Sequence, residues 1–289
     1  MDAVKRIEAE LETAVHFAES GDAPARLAAA IRYAIFPGGA RVRPRLCLAV
    51  SEACGADDLS ACVTAACAIE ILHCASLVHD DLPCFDDAAL RRGKPSVHVA
   101  FGEALAVLAG DAMIVMAFET LARGCERSTQ LLPDLALTVA RSIGMPNGIV
   151  AGQGFESEPQ ISRSQYQRAK TGSLFVAATM SGAFAAGYAG APWRTLGERL
   201  GEAYQIADDI RDIASSPEEL GKPIGRDAAL GRPSAAAELG VDGAIRLLKQ
   251  LVAEAVDSIP PCPGADKLKA QLLIETLHAL PKELLRRAA

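Results

Sequence analysis

Apolar residues recur every three to four positions along almost the whole chain, and that regularity limits the fold more than any other feature. Val4, Ile7, Leu11 and Val15 form the first such stripe, the spacing that lines one face of an α-helix. Ser20-Gly21-Asp22-Ala23-Pro24 interrupts it, Leu27, Ile31 and Ile35 restart it, and Pro37-Gly38-Gly39 ends it. The same pattern predicts helices over 45–53, 60–80, 98–123, 131–144, 164–189, 193–214, 234–256 and 266–286. Alternating β-branched runs are missing, and Asn147-Gly148 follows a helical pattern rather than a strand. The breaks are short, no low-complexity linker divides the chain, and no short repeat is visible. The expectation is all-α: one domain over residues 1–289, a bundle of about ten or more helices. Segments apolar around much of their circumference belong at its centre.

Composition excludes several classes. The 289 residues carry 36 Asp plus Glu against 29 Lys plus Arg, a net charge of −7, with no long basic run. Nucleic-acid binding needs clustered cations, so any phosphate site must be a local basic pocket in an acidic protein. Met1-Asp2-Ala3-Val4-Lys5-Arg6 leads into no apolar signal segment. The richest apolar runs, Leu105–Phe118 and Leu174–Tyr188, are interrupted by Gly, Asp or Ser, and no stable membrane insertion is expected. The 8 cysteines include no C-x-x-C pair and read as buried, reduced thiols of a cytoplasmic protein.

Two acidic clusters each close an apolar helix: His79-Asp80-Asp81-Leu82-Pro83-Cys84-Phe85-Asp86-Asp87 and Gln205-Ile206-Ala207-Asp208-Asp209-Ile210-Arg211-Asp212. Asp208 and Asp212 are one helical turn apart on one face, with Asp209 about 100° away. Stacked carboxylates repel unless a cation lies between them, and an all-oxygen donor set suits Mg²⁺ shared with phosphate oxygens. Pro83 should end the first helix and let Asp86 curl back towards Asp80. One such cluster could be merely a solvated helix end, but two similarly placed are an infrequent accident.

Basic residues sit beside these clusters. Gly38-Gly39-Ala40-Arg41-Val42-Arg43-Pro44-Arg45 alternates arginines after a glycine turn. Arg91-Arg92-Gly93-Lys94 follows the first cluster, Gly221-Lys222-Pro223 follows the second, and Lys170-Thr171-Gly172 opens an apolar helix. Arg forks and Lys point charges both bind phosphate. Acids, bases and an apolar interior together describe a diphosphate held through Mg²⁺ with a hydrocarbon tail directed into the core.

In combination these motifs resemble the trans-prenyltransferases, the farnesyl and geranylgeranyl diphosphate synthase family, over nearly the whole chain. The marks are Gly38-Gly39-x-Arg41-x-Arg43-Pro44, Asp80-Asp81-x-x-x-x-Asp86, Arg91-Arg92-Gly93, Gly110-Asp111, Lys170-Thr171-Gly172 and Gln205-x-x-Asp208-Asp209-x-x-Asp212 with Gly221-Lys222. The sequence is most similar to geranylgeranyl diphosphate synthases of carotenoid and bacteriochlorophyll gene clusters. The resemblance implies the isoprenoid-synthase fold, helices around a central apolar cavity, and a homodimer. It also implies metal ligation at Asp80, Asp81, Asp86, Asp208, Asp209 and Asp212, and allylic-diphosphate contacts from Arg91, Lys170, Thr171, Gln205 and Lys222. Isopentenyl diphosphate would meet Arg43, His73 and Arg92, with Arg41 beside it. Ala40 stands where the family usually has Lys, so either Arg41 or Arg45 compensates or affinity is weaker. Arg226 and Arg232 replace Lys and keep the charge.

The implied reaction is head-to-tail condensation of isopentenyl diphosphate with an allylic diphosphate. Cations stabilise the departing diphosphate, the isopentenyl double bond attacks the allylic carbon, and the released diphosphate takes the proton. The bundle excludes water that would quench the cation. The tail grows along the helix bearing Asp80, past Ala75 and Ser76. An aromatic residue there stops the family's product at fifteen carbons; these small residues predict twenty, with Met113, Met116 and Phe118 as candidate floor residues. Other readings are a farnesyl or longer-chain synthase, a terpene cyclase, which would not need the arginine-rich site, or a non-catalytic partner subunit, whose aspartate motifs should be degraded.

Overall fold

The computed structural model describes residues 3–36, 38–160, 162–214 and 234–278, the side chains of 163, 212–214 and 275–278 excepted. The chain runs α1 (Ala3–Ala18), α2 (Ala25–Ile35), α3 (Val42–Ala53) and α4 (Ser60–Asp80), then a hairpin of β1 (Leu90–Arg91) and β2 (Lys94–Pro95). Next come α5 (Val97–Phe101), α6 (Glu103–Gly124), α7 (Leu132–Ile143), α8 (Ile149–Phe155) and α9 (Arg163–Gln167). A π-helical turn (Arg168–Gly172) leads into α10 (Ser173–Ala185), and α11 (Arg194–Ala214), α12 (Ala235–Asp257) and α13 (Ala265–His278) complete the described chain.

The two helices that lead to the acidic and basic motifs are central. α4 buries Cys62, Ala65, Ala66, Ala68, Ile69, Ile71 and Leu72 and packs on α1, α3, α6 and α10. α10 buries Leu174 through Thr179 and packs on α3, α4, α7 and α11. Both are rich in Ala, with Ser and Thr in each and cysteines in α4, and small side chains let backbones approach. At Gly182 a Cβ would lie 2.4 Å from the Cys47 carbonyl of α3. A second apolar cluster joins Ala203, Ile206, Ala207 and Ile210 of α11 to Ile245, Leu248 and Val252 of α12. It fixes the helix that carries the second acidic motif.

Helix 60–80 was legible to the residue. The stretch 98–123 is instead two helices, because Gly102 has φ 93°, a left-handed conformation that a continuous helix excludes. The hairpin at 90–95 was not anticipated. Its strands are too short to show alternation, and its turn residues Arg92 and Gly93 both have positive φ, 54° and 75°, as in a two-residue type I′ turn. α8 was also missed. The expectation about apolar run length needs correcting: α4 and α6, 21 and 22 residues long, each hold an 18-residue stretch of mean hydropathy 1.8 and are long and apolar enough by length and composition to cross a membrane. The interrupting residues in each are small or few, so they do not lower mean hydropathy enough. The α4 stretch is mostly buried in the bundle, whereas α6 keeps an open side. Of the cysteines, Cys84 is exposed and Cys262 half-buried, while the other six are buried; all are free.

Candidate active site

The first acidic cluster turns as Pro83 predicts. α4 ends at Asp80, and the next residues fold into a tight loop in which the Asp86 N–H donates to the Asp80 carbonyl at 2.9 Å. Asp86 thus returns to Asp80. The Asp81 carboxylate is buried and receives the Arg91 guanidinium as a fork, Nε lying 3.0 and 3.1 Å from its two oxygens and Nη2 closer still. Asp80 receives Lys170 Nζ at 3.0 Å, with Arg91 at 3.9 Å. Burial raises the Asp80 pKa from its ordinary value; Lys170 opposes that rise and the charge of Asp86 adds to it. This acidic end is costly to ionise without a cation.

Lys170 and Thr171 sit on the π turn. Its wider i→i+5 winding is a local departure from the α-helix that recurs at functional sites. Two glycines let it pack tightly: a Cβ at Gly152 of α8 would lie 2.5 Å from Lys170 N, and one at Gly201 of α11 would lie 2.6 Å from Gly172 Cα. From this turn Lys170 reaches the first acidic wall and Thr171 the second. The Thr171 hydroxyl donates to Gln205 Oε1 at 2.9 Å, and Gln205 Nε2 donates to Asp209 Oδ1 at 3.0 Å. Adjacent residues therefore bridge two motifs far apart in sequence.

Glu156, Tyr166 and Gln153 belong to this arrangement and were missed. Glu156 Oε1 accepts from Lys170 Nζ at 2.6 Å and from the Tyr166 hydroxyl at 2.7 Å, while Oε2 accepts from Gln153 Nε2 at 3.0 Å. Glu156 aims Lys170 from behind. Its signal was Gln153-x-x-Glu156, one turn apart at a helix end, in a segment left without an element.

The arginine-rich segment divides. Arg43 is buried against the rings of Phe175 (4.8 Å) and Tyr204 (5.7 Å), and its Nη1 donates to His73 Nε2 at 3.4 Å. Burial lowers the Arg43 pKa, but a guanidinium stays charged. Burial, then the charges of Arg43, Arg92, Arg91 and Arg41, hold His73 well below its ordinary pKa, so it is neutral. Arg92 lies against Gly39, where a Cβ would stand 3.0 Å from its guanidinium carbon. With Arg91, Lys94, Gly38 and Asp81 it lines a cavity of about 130 Å³. Arg91, Arg92 and Lys94 give this cavity three cationic side chains.

Arg41 does not join that pocket, which corrects the expectation that it contacts substrate. It is buried and folds back over Gly38, donating to Glu70 (2.8 Å), Glu8 (2.8 Å) and the Ile35 carbonyl (3.0 Å). It therefore does not supply the cation missing at Ala40. Asp209 also departs from its expected role as a metal ligand. It is buried, and its second oxygen accepts the Ala235 N–H at 2.7 Å, at the first turn of α12. Asp208 is half-exposed and pairs with Arg211 at 3.1 Å. Asp212 continues α11, its side chain lying outside the description, and Lys222, Arg226 and Arg232 lie outside the described residues. Ala75 is buried, and the Ser76 hydroxyl donates to the His73 carbonyl at 2.8 Å. Gly110 has a packing reason: a Cβ there would overlap the His79 ring.

The donor set fits a hard divalent cation. Asp80, Asp81, Asp86 and Asp208 offer only oxygen, and burial together with the charge of Asp86 penalises ionisation of Asp80 and Asp81. Among the described residues no three of His, Cys, Asp or Glu converge as a closed metal cage. An all-carboxylate set is the kind Mg²⁺ uses, binding through one or two carboxylates and completing its shell with waters and substrate phosphate.

Comparison with known proteins agrees. The pattern of the polyprenyl synthetase family matches residues 24–258. The chain is 54% identical over 260 residues to the geranylgeranyl diphosphate synthase of Cereibacter sphaeroides, covering 90% of each, and 48% identical over 280 residues to that of Rhodobacter capsulatus, covering 96% of this chain and 95% of the relative. Its fold matches a crystal structure of geranyltransferase from Helicobacter pylori complexed with magnesium and isoprenyl diphosphate. The TM-score is 0.78 at 29% identity, covering 96% of this chain and 98% of that one. With its helical bundle, paired acidic motifs and these relatives, the chain belongs to the polyprenyl synthetase family.

Proposed function

We propose that the cleft joins isopentenyl diphosphate head to tail to an allylic diphosphate, giving geranylgeranyl diphosphate and diphosphate. One observation carries the reading: Lys170 and Thr171, side by side, reach Asp80 of the first acidic motif and Gln205 of the second. A diphosphate placed between those walls meets Lys170 and Arg91, with carboxylates behind them. Asp80, Asp81, Asp86, Asp208 and Asp212 would hold Mg²⁺, which when bound neutralises the leaving diphosphate. Lys170 and Arg91 exchange their carboxylate partners for phosphate oxygens, and Glu156 keeps Lys170 aimed. Arg43, neutral His73 and Arg92 receive isopentenyl diphosphate. His73 accepts from Arg43 and so fixes the direction of that guanidinium. Breaking the allylic C–O bond leaves a cationic carbon and free diphosphate, attack by the isopentenyl double bond forms the new C–C bond, and loss of a proton to the released diphosphate completes the product. The aromatic faces of Phe175 and Tyr204 and the apolar α4 exclude water from the cation.

Twenty carbons is the product favoured by the two geranylgeranyl relatives and by Ala75 and Ser76, which leave room along α4. The protein acts as a single cytoplasmic catalytic unit without nucleic acid or stable membrane insertion, and pairs as a homodimer. The side of α6 bearing Val107, Leu108 and Val115, at 41%, 50% and 67% exposure, supports pairing, since so apolar a face favours a partner. Purified protein incubated with isopentenyl and farnesyl diphosphates and Mg²⁺ should yield a twenty-carbon product by chromatography, and none in EDTA. No product with Mg²⁺, or growth that stops at fifteen carbons from a shorter primer, refutes the reading.

A further inference from the structure

Thr171, Gln205 and Asp209 form one hydrogen-bonded chain that ends on the backbone of Ala235, and its direction is fixed from that end. The Ala235 N–H can only donate, and it donates to Asp209 Oδ2 at 2.7 Å. A carboxylate accepts at both oxygens, so Oδ1 must receive the Gln205 amide nitrogen, 3.0 Å away. Gln205 Oε1 is thereby turned to Thr171, 2.9 Å away. An amide oxygen only accepts, so the Thr171 hydroxyl proton is drawn towards Gln205. Thr171 is left with oxygen lone pairs to present to the cleft. Asp209 is 3% exposed, so water does not compete for its oxygens.

We propose that Asp209 is a positioning residue: acting through Gln205, it fixes the Thr171 hydroxyl as an acceptor facing the reacting allylic group. The proposal rests on the prenyl-transfer reading of the cleft. Lone pairs beside a carbon that becomes cationic are favourable, whereas a hydroxyl proton there is not. The carboxylate matters for its lack of a proton rather than for shape. Under Asp209→Asn, the isosteric amide would give its oxygen to the Ala235 N–H and its NH₂ to Gln205. The Gln205 amide would flip, its nitrogen would donate to Thr171, and the Thr171 proton would swing into the cleft. The hydrogen bonds from Thr171 through Gln205 and residue 209 to Ala235 all survive, but their polarity reverses.

The test is Asp209→Asn in wild type and in Thr171→Val, using the full chain. In wild type the substitution should lower kcat about tenfold, leaving the Mg²⁺ half-saturation and the KM for both diphosphates within about twofold. In the Thr171→Val background, with no hydroxyl to turn, it should change kcat by less than about twofold. An unchanged kcat in wild type, an equal loss in both backgrounds, or a weakened Mg²⁺ half-saturation each overturns the proposal. If Asp209→Asn fails to fold, Gln205→Leu in wild type and in Thr171→Val carries the test: it cuts the relay in the middle, so kcat should fall about tenfold in wild type and by less than about twofold in Thr171→Val, and an equal loss in both backgrounds overturns the proposal. A wild type that condenses nothing refutes the prenyl-transfer reading, and the proposal with it; an active wild type with any overturning result above refutes the relay alone.

Discussion

Replacing Arg41 should destabilise the protein without weakening isopentenyl diphosphate binding. The Arg41 and Glu70 side chains are 1% and 2% exposed, and Arg41 also holds Glu8 and the Ile35 carbonyl. Arg41→Met strands the Glu70 carboxylate among apolar neighbours. Breaking a buried pair from one side costs about 3–5 kcal/mol. The Glu8 contact adds less, because that carboxylate is about one-third exposed and can turn to water when the arginine is lost. For a chain of this size each kcal/mol moves Tm by about 2–4 °C, so a fall of about 10 °C is expected in a circular-dichroism melt. Arg41→Met with Glu70→Leu removes both charges and should recover most of it, since a buried pair replaced by apolar residues is often neutral. Initial-rate kinetics at permissive temperature should give an unchanged KM for isopentenyl diphosphate. A Tm within about 2 °C of wild type together with a KM raised more than about tenfold would place Arg41 in the substrate site and refute the structural reading.

Three other outcomes are expected. Asp208→Ala should cut kcat by at least about a hundredfold, as loss of a group that stabilises transition-state charge does; near-wild-type turnover would remove Asp208 from the metal ligands. Ala75→Tyr should shift the product from twenty towards fifteen carbons in a chromatographic assay, and an unchanged spectrum would mean that the tail does not pass Ala75. His73 has a folded-state pKa well below the 6.5 of the unfolded chain. Its contribution to stability is therefore complete above 6.5 and is lost as pH falls below it, because the unfolded chain takes up the proton first. His73→Gln should flatten the drop in Tm between about pH 7.5 and 5.5; an identical drop in both proteins would show that His73 protonates freely when folded.

The central helices and the chemistry were legible for the same reason. α4 and the second acidic helix are long and periodic, and Asp208 and Asp212 fall one turn apart on one face. The return of Asp86 to Asp80 followed from Pro83 alone. The distribution of arginines was not legible. Arg41 and Arg43 are two residues apart in one motif, yet one is spent on Glu70 and the other faces His73. The difference is made by Glu8 and Glu70 on two other helices, which no local pattern reveals. Asp209 was hidden similarly, because its partner Ala235 comes 26 residues later. Glu156 went unnoticed because its role is to hold another side chain, and single acids at helix ends are common.

The π turn at Arg168–Gly172 has a consequence for mutation by deletion. It is in effect one surplus residue wound into a helix. Excising a single residue there would let ordinary α-helical bonding close and would tidy the local backbone. The flanking helices would stay in phase, but the residues within the turn would be re-aimed, so Lys170 and Thr171 could no longer both keep their hold on Asp80 and Gln205. The separation of the two acidic walls is thus recorded in the length of this segment as much as in its residues. A one-residue gap here should be more damaging than most substitutions within the turn.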